Sequence, residues 1–346
     1  MKAVVKYGTR DGEVELRDVP MPVIGETDVL LEMTAAGICG SDVEQWRHFV
    51  TYPVNTPVTM GHEFCGLIRE IGSGVKGFQV GDRVASETAA YICGQCPYCL
   101  TGEYNLCPTR LGFGYGLNGA FTRYVKVPVR CLHHIPNNVS FEHAALTEPA
   151  CVTYNALVVK SKIRPGEPVV VIGPGPIGLF AVQMARAQGA GRIYLVGTNA
   201  DKIRLDVGSK IGADVLLNVQ ETDAAAAILD ETGGYGVPLV VDAAGPAAAL
   251  KLAMDVVARN GQITKIAWGP KPVELSLDPI VGKAVSLQGS YSHNWRTWEA
   301  VLKMMASRRL DLDTMITHRY TIDHWLEAYH LVEEREAVKI ILTPAD

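Results

Sequence analysis

Four cysteines, Cys93, Cys96, Cys99 and Cys107, follow one another as C-x-x-C-x-x-C-x-seven-C, with Gly94, Pro97 and Gly102 among them. Thiolates this close along the chain can fold around one ion. Four of them suit a closed tetrahedral zinc centre, and an iron–sulfur cluster takes the same ligand type. Two disulfides would use the same residues, but only in an oxidising compartment. A centre with every position filled has none left for a substrate, so this one is expected to hold a lobe together. A second group is more widely spread: Cys39 within Gly37-Ile38-Cys39-Gly40-Ser41-Asp42, then Gly61-His62-Glu63, with His62 lying 23 residues after Cys39. Thiolate, imidazole and carboxylate are ligand types of a catalytic zinc, where three protein ligands leave one position open. Asp42 and Glu63 are candidates to support His62 and the metal from behind, and Glu63 is also a candidate ligand.

A third stretch could cradle phosphates. Gly173-Pro174-Gly175-Pro176-Ile177-Gly178 follows the β-branched run Pro168 to Ile172 and precedes a helix-forming run, Leu179 to Ala187, that stops at Gly189. Strand, glycine turn and helix in that order are what a dinucleotide fingerprint requires. The first glycine permits the turn, the second lets the backbone approach a pyrophosphate, and the third lets helix and strand pack closely.

The surrounding sequence divides by texture. Residues 1 to about 155 are rich in short β-branched segments, Gly and Pro, with strands expected at Asp28 to Met33, Glu63 to Ile71, Arg83 to Ala85 and Phe121 to Val127. From about 156 to 289 strand and helix alternate, as in a parallel doubly wound α/β sheet. Strands are expected at Arg192 to Val196, Asp214 to Val219, Leu239 to Asp242, Gln262 to Ile266 and Val285 to Gly289, with helices at Asp201 to Ile211, Thr222 to Glu231 and Ala247 to Arg259. Residues 290–346 return to the first domain, with an amphipathic helix at Asp323 to Glu334 and a closing strand at Val338 to Leu342.

With 346 residues, a net charge of −5 and no long Lys/Arg run, the chain is poorly suited to nucleic acid or an anionic membrane, and small soluble ligands are the better match. The start, Met1 to Tyr7, meets charge too early for a signal peptide, and no apolar run reaches a membrane span. A cytoplasmic protein is expected. His133 and His134 are neighbours in an extended segment and would face opposite ways, so they are read as structural, as are Cys65, Cys131 and Cys151.

Taken together, Cys39 in GICGSD, His62-Glu63 in GHE, the four-cysteine lobe, Gly81-Asp82-Arg83-Val84, Glu148-Pro149 and GPGPIG resemble the zinc-containing medium-chain dehydrogenase/reductase superfamily over essentially the whole chain. Glu148-Pro149 most resembles the polyol branch typified by sorbitol dehydrogenase, in which Glu replaces a cysteine ligand. The resemblance implies a GroES-like catalytic domain (1–155 and 290–346) around a Rossmann domain (156–289), two zinc ions per chain, a nicotinamide cofactor and a homotetramer or homodimer. It places Cys39, His62 and Glu148 around the catalytic zinc, with Glu63 ligating or exchanging with Glu148, and the four cysteines around the structural zinc.

The same resemblance gives Ser41 the substrate's hydroxyl proton and puts Glu44, rather than the family's usual His, at the outer end of the relay, with His48 as a second candidate. Gly173, Gly175, Pro176, Ile177 and Gly178 would meet the cofactor phosphates. Thr198 and Asn199, the latter where an acid normally holds the ribose, and nearby Lys202 and Arg204 would meet its adenosine end. Asn199 does not repel a 2′-phosphate; NAD is the expected form, with NADP possible. Tyr291, His293, Asn294 and Trp295 are candidates for the substrate wall. The expected activity is oxidation of a secondary hydroxyl of a polyol. An L-threonine 3-dehydrogenase-like enzyme is the alternative within the class, and a non-catalytic zinc-stabilised binding protein the alternative outside it.

Overall fold

A computed structural model describes residues 1–269 and 271–345. In chain order its strands are β1 (Lys2–Lys6), β2 (Val14–Asp18), β3 (Asp28–Gly37), β4 (Val58–Thr59), β5 (Glu63–Ile71), β6 (Arg83–Ser86), β7 (Tyr124–Pro128) and β8 (Leu132–His134). They continue with β9 (Val169–Ile172), β10 (Ile193–Gly197), β11 (Val215–Asn218), β12 (Val237–Asp242), β13 (Val257–Lys265), β14 (Ser286–Gly289), β15 (Ile316–Thr321) and β16 (Lys339–Thr343). Among the described residues no helix is long and apolar enough to cross a membrane.

The chain divides into two compact units. One comprises Met1–Glu148, His293–Glu333 and the segment from Lys339; the other comprises Pro149–Ser292 and Glu334–Val338. The second unit carries one six-stranded sheet, β11-β10-β9-β12-β13-β14, parallel throughout. Numbered within the unit, the order is 3-2-1-4-5-6, the doubly wound arrangement whose ligand crevice lies at the carboxyl ends of its first and fourth strands. Strand β9 reads Val-Val-Val-Ile with every residue buried, as expected of a strand covered on both faces. The helix Ala247–Val256 ends three residues earlier than helical propensity suggests. From Val257 the backbone pairs in parallel with β12, opening at Val257 opposite Val237, so sheet pairing overrides a run that could have stayed helical.

The first unit is mostly β. Its larger sheet runs β15-β16-β3-β5-β6-β8, with β7 also pairing β3, and its smaller one runs β2-β1-β4. Strand β3 is interior, with β5, β7 and β16 all antiparallel to it, and most of its side chains are buried on both faces. The strand expected from Phe121 begins only at Tyr124, because Phe121 is held by backbone bonds to Val4 and Met60 outside the regular ladder. At the N-terminal end of the expected amphipathic helix, Ile322–His324 forms one tight 3₁₀ turn before the α-helix Trp325–Glu333.

Candidate metal centres and nucleotide site

Cys39 is the N-cap of the short helix Gly40–Trp46, and Asp42 at that helix's third position accepts the Cys39 backbone N–H at 2.9 Å. The other Asp42 oxygen lies 3.4 Å from His62 Nδ1, so one buried carboxylate ties both residues together. Glu63 starts β5 opposite Gly37 of β3. A side chain at Gly37 would put its Cβ 2.3 Å from Glu63 Oε2, which is why glycine stands there. The ligand atoms of Cys39, His62 and Glu63 all lie within 4.8 Å of one another.

Glu63 is fully buried and forms a short ion pair with Lys339 at the start of β16, itself fully buried. Lys339 Nζ also donates to the Ile38 carbonyl at 2.8 Å. Oε1 of Glu63 has no partner in the protein, and an orphaned buried carboxylate oxygen is costly. A cation between it, the Cys39 sulfur and the His62 ring would satisfy that atom, so the residues fit zinc by ligand chemistry and by what they leave unsatisfied. Burial raises the Glu63 pKa, with Lys339 opposing and Glu148 reinforcing the rise. Burial works against charge on His62, yet Asp42 and Cys39 overcome it and push its pKa well above the ordinary value.

Glu148 sits in the first turn of the helix Thr147–Tyr154 and is largely buried. Its charge is felt by Glu63, His62 and Lys339, while its Oε1 lies 3.1 Å from His293 Nε2. Burial alone would raise its pKa; the His293 hydrogen bond, together with the positive charge of His62 and Lys339, outweighs burial and lowers it. Ser41 is half-buried on the same helix as Asp42, and Glu44 and His48 are exposed at its far end. Desolvation nevertheless raises the Glu44 carboxyl.

The four-cysteine lobe is drawn together without disulfides. Cys93 Sγ lies 3.7 Å from Cys107 Sγ and 3.9 Å from Cys99 Sγ. Disulfide sulfurs would be about 2.05 Å apart, whereas zinc–sulfur bonds of about 2.3 Å at tetrahedral angles put sulfurs about 3.8 Å apart. Gly94 and Gly102 turn the chain at positive φ. Burial opposes ionisation of Cys107, but the Cys93 N–H and neighbouring donors win and lower its pKa to about 6; backbone N–H groups of Gln95 and Cys96 lower Cys93. Behind the lobe, Tyr104 OH donates to Glu87, which is fully buried and meets His133 Nε2 at 3.1 Å; His133 Nδ1 lies 2.8 Å from Glu299. His133 is thus buried between two carboxylates, while exposed His134 faces the other way and stacks on Phe78.

In the second unit the glycine turn is built as the fingerprint requires. Gly173 has φ +98, and a Cβ there would press on the Ala244 backbone at 2.8 Å. Gly175 faces open space, and a Cβ at Gly178 would strike the Gly173 carbonyl at 1.8 Å. Pro176 opens the helix Pro176–Ala187, with Ile177 and Gly178 in its first turn. A cavity of about 850 Å³ opens over this turn and is lined by Gly173, Gly175, Thr198, Asp201, Arg204 and Arg335 among others.

Just past the end of β10, Asn199 is not among the residues lining that cavity. Its side-chain oxygen accepts from Asn218 Nδ2 at 2.5 Å, and Lys202 is exposed outside the lining. Asp201 is committed to Thr198 (backbone N–H at 3.0 Å, hydroxyl at 2.7 Å) and to Arg335 at 3.1 Å. Arg335 arrives from the segment Glu334–Val338 and also reaches Thr198 Oγ1 at 3.3 Å. Sequence reasoning missed it, as it missed Lys339. Nothing in an isolated charge says which strand end it will meet. Of the proposed substrate residues, Tyr291 belongs to the second unit, edge-on to Trp268. His293 is buried, Asn294 Nδ2 donates to the Gly102 carbonyl at 3.2 Å, and Trp295 is half exposed.

Comparison with known proteins matches residues 25–137 to the alcohol dehydrogenase GroES-like domain and residues 176–307 to the zinc-binding dehydrogenase domain. A sorbitol dehydrogenase of Halalkalibacterium halodurans is 39% identical over 100% of both chains. A D-arabitol-phosphate dehydrogenase of Enterococcus avium is 34% identical over 99% of this chain and 97% of its own. Among solved structures, the galactitol-1-phosphate dehydrogenase of Escherichia coli superposes with a TM-score of 0.88 at 28% identity, covering 99% of this chain and 100% of that one. Both family domains in sequence order, and full-length relatives well above 30% identity, place this chain in the zinc-containing medium-chain dehydrogenase/reductase superfamily.

Proposed function

We propose that the chain oxidises a secondary hydroxyl of a polyol or sugar alcohol, with hydride passing to NAD. The observation that carries this reading is the Cys39, His62 and Glu63 group with its orphaned Glu63 oxygen and a second carboxylate, Glu148, in its field. Zinc would supply Lewis acidity that lowers the pKa of the substrate hydroxyl, and the nicotinamide would accept the hydride. Cys39, His62 and Glu63, with Glu148 beside them, would hold the metal, and a carboxylate in place of a second thiolate suits a substrate that brings two oxygens.

Ser41 accepts the hydroxyl proton as it releases its own, which Glu44 takes up, directly or through water, and returns to solvent. Asp42 fixes the orientation of the His62 ring. Gly173, Gly175 and the helix start at Pro176 bind the pyrophosphate, and Thr198 and Arg204 face the adenosine end. Asn294 and Trp295 contact the substrate. The four cysteines hold a structural zinc that keeps the lobe folded. The protein is read as cytoplasmic and as a homotetramer or homodimer.

The test is a panel of C4 to C6 polyols, polyol phosphates, cyclitols and L-threonine with NAD and NADP, following formation of reduced cofactor. Turnover of a polyol or its phosphate by zinc-replete protein is expected. Turnover of threonine alone would reverse the substrate reading, and no turnover of any secondary alcohol would remove the catalytic one.

A further inference from the structure

His293 makes three contacts that together fix where its proton is. Trp298 Nε1 lies 2.8 Å from His293 Nδ1, in a fully buried setting. An indole N–H can only donate, so Nδ1 must be the bare, accepting nitrogen. The proton of the neutral ring is therefore on Nε2, the nitrogen 3.1 Å from Glu148 Oε1 and 3.3 Å from Thr88 Oγ1. Thr88 Oγ1 already accepts from Arg110 Nη2 at 2.7 Å and has a second lone pair for the ring N–H. The donor on His293 is thus aimed at the Glu148 carboxylate by the tryptophan behind it. Trp298 is held in turn by His133, whose ring stacks on it at 5.3 Å and 13°.

We propose that His293, locked as the Nε2–H tautomer by Trp298, is the positioning residue for Glu148. It occupies one oxygen of that carboxylate and leaves the other to act at the catalytic metal. This gives His293 a different task from lining the substrate wall, and it rests on the metal-centre reading above. A ligating carboxylate held by its own hydrogen-bond donor is set in rotamer and basicity, and loss of such a donor typically costs about 10- to 100-fold in metal affinity or activity.

Three variants separate this role from simple packing. His293→Phe keeps a ring but has no donor, His293→Gln keeps an N–H donor, and Trp298→Phe keeps an aromatic ring while removing the N–H that selects the tautomer. Each is compared with the parental holoenzyme in zinc retained against a competing chelator, in the visible spectrum with cobalt at the catalytic site, and in kcat and KM. The expected result is a 10- to 100-fold loss of catalytic-site metal affinity and an altered cobalt spectrum in His293→Phe. His293→Gln should recover most of the loss, Trp298→Phe should fall between, and the lobe should keep its zinc in all three.

If His293→Phe retains both metals with the parental cobalt spectrum and turnover, the inference is wrong while the dehydrogenase reading stands. Should that variant fail to fold, an unaltered spectrum and metal affinity in Trp298→Phe overturns the inference equally. A parental chain that binds only one zinc would remove the metal-centre reading itself, and this inference with it.

Discussion

The two candidate metal-ligand groups of the first unit are assembled in opposite ways. Cys93, Cys96, Cys99 and Cys107 lie within one short lobe, turned by Gly94 and Gly102 and pre-aligned by their own backbone N–H groups. Cys39, His62 and Glu63 are carried by a helix cap, the approach to β5 and the first residue of β5, while Glu148 on a second helix and Lys339, 276 residues after Glu63, supply the charges around them. The lobe is closed and local, whereas the other group depends on the whole unit and keeps an unsatisfied oxygen. A structural centre can be made by a loop; a reactive one needs a scaffold stiff enough to hold ligands that do not fill the metal's coordination.

The comparison breaks most visibly if the two groups fail to separate on mutation. Cys39→Ala is expected to lower turnover by about 10³-fold, roughly 4 kcal/mol of lost transition-state stabilisation, and to halve zinc content with little change in melting. Cys96→Ser should also lose one zinc, but its cost should appear as stability, on the order of 2 kcal/mol, or about 4–8 °C in melting temperature. Zinc analysis, calorimetry and steady-state rates on both variants check this. Equal loss of activity with equal loss of stability would mean that the centres are not distinct.

The buried pair sharpens the scaffold side of the contrast. In the metal-free protein, Lys339→Met leaves buried Glu63 without its counter-charge, at an expected cost of about 3–5 kcal/mol in urea unfolding, part of which Glu63→Gln in the same chain should restore. A cost under about 1 kcal/mol would show that the lysine does not hold the carboxylate.

The smallest effect is expected at the surface pair Glu142–Arg319, bonded at 2.8–3.0 Å and more than one-third exposed on both sides. Arg319 lowers the Glu142 pKa in the folded protein, so the pair adds stability above the unfolded carboxyl pKa, and that stability is lost as pH falls through the lower folded value. With solvent screening, Glu142→Gln should cost less than about 1 kcal/mol at pH 7, shrinking with salt and vanishing well below pH 4. A cost that persists in acid would assign the effect to packing instead.

The difference in assembly also explains what could be read from sequence. The four cysteines and GPGPIG declare themselves because their geometry is local: spacing and glycine positions carry the reasons, and the Gly173, Gly175 and Gly178 environments match the three tasks assigned to them. Long-range pairings were not legible. Lys339 begins an otherwise apolar strand, and Arg335 lies in a charged run that reads as solvated surface. Only the fold delivers the one to Glu63 and the other to Asp201. His293 looked like a wall residue because a histidine near tryptophans offers no hint of its proton. The structure gives it a buried indole behind and a carboxylate ahead. Helix Ala247–Val256 ran too long in expectation because propensity is local and the pull of β12 on Val257 is not.

Lys339 also sets a timetable for biosynthesis. Glu63 emerges early in translation, but its counter-charge is made only after every residue of the nucleotide-binding unit's main segment, Pro149–Ser292, has been joined. Until then the nascent sheet holds β3 without β16, and Glu63 without its ammonium partner. The lobe can close around its ion co-translationally, while the reactive centre is fully assembled only when β16 arrives. Premature termination between Cys107 and Lys339 would therefore yield a chain able to bind metal in the four-cysteine lobe and unable to finish the second centre.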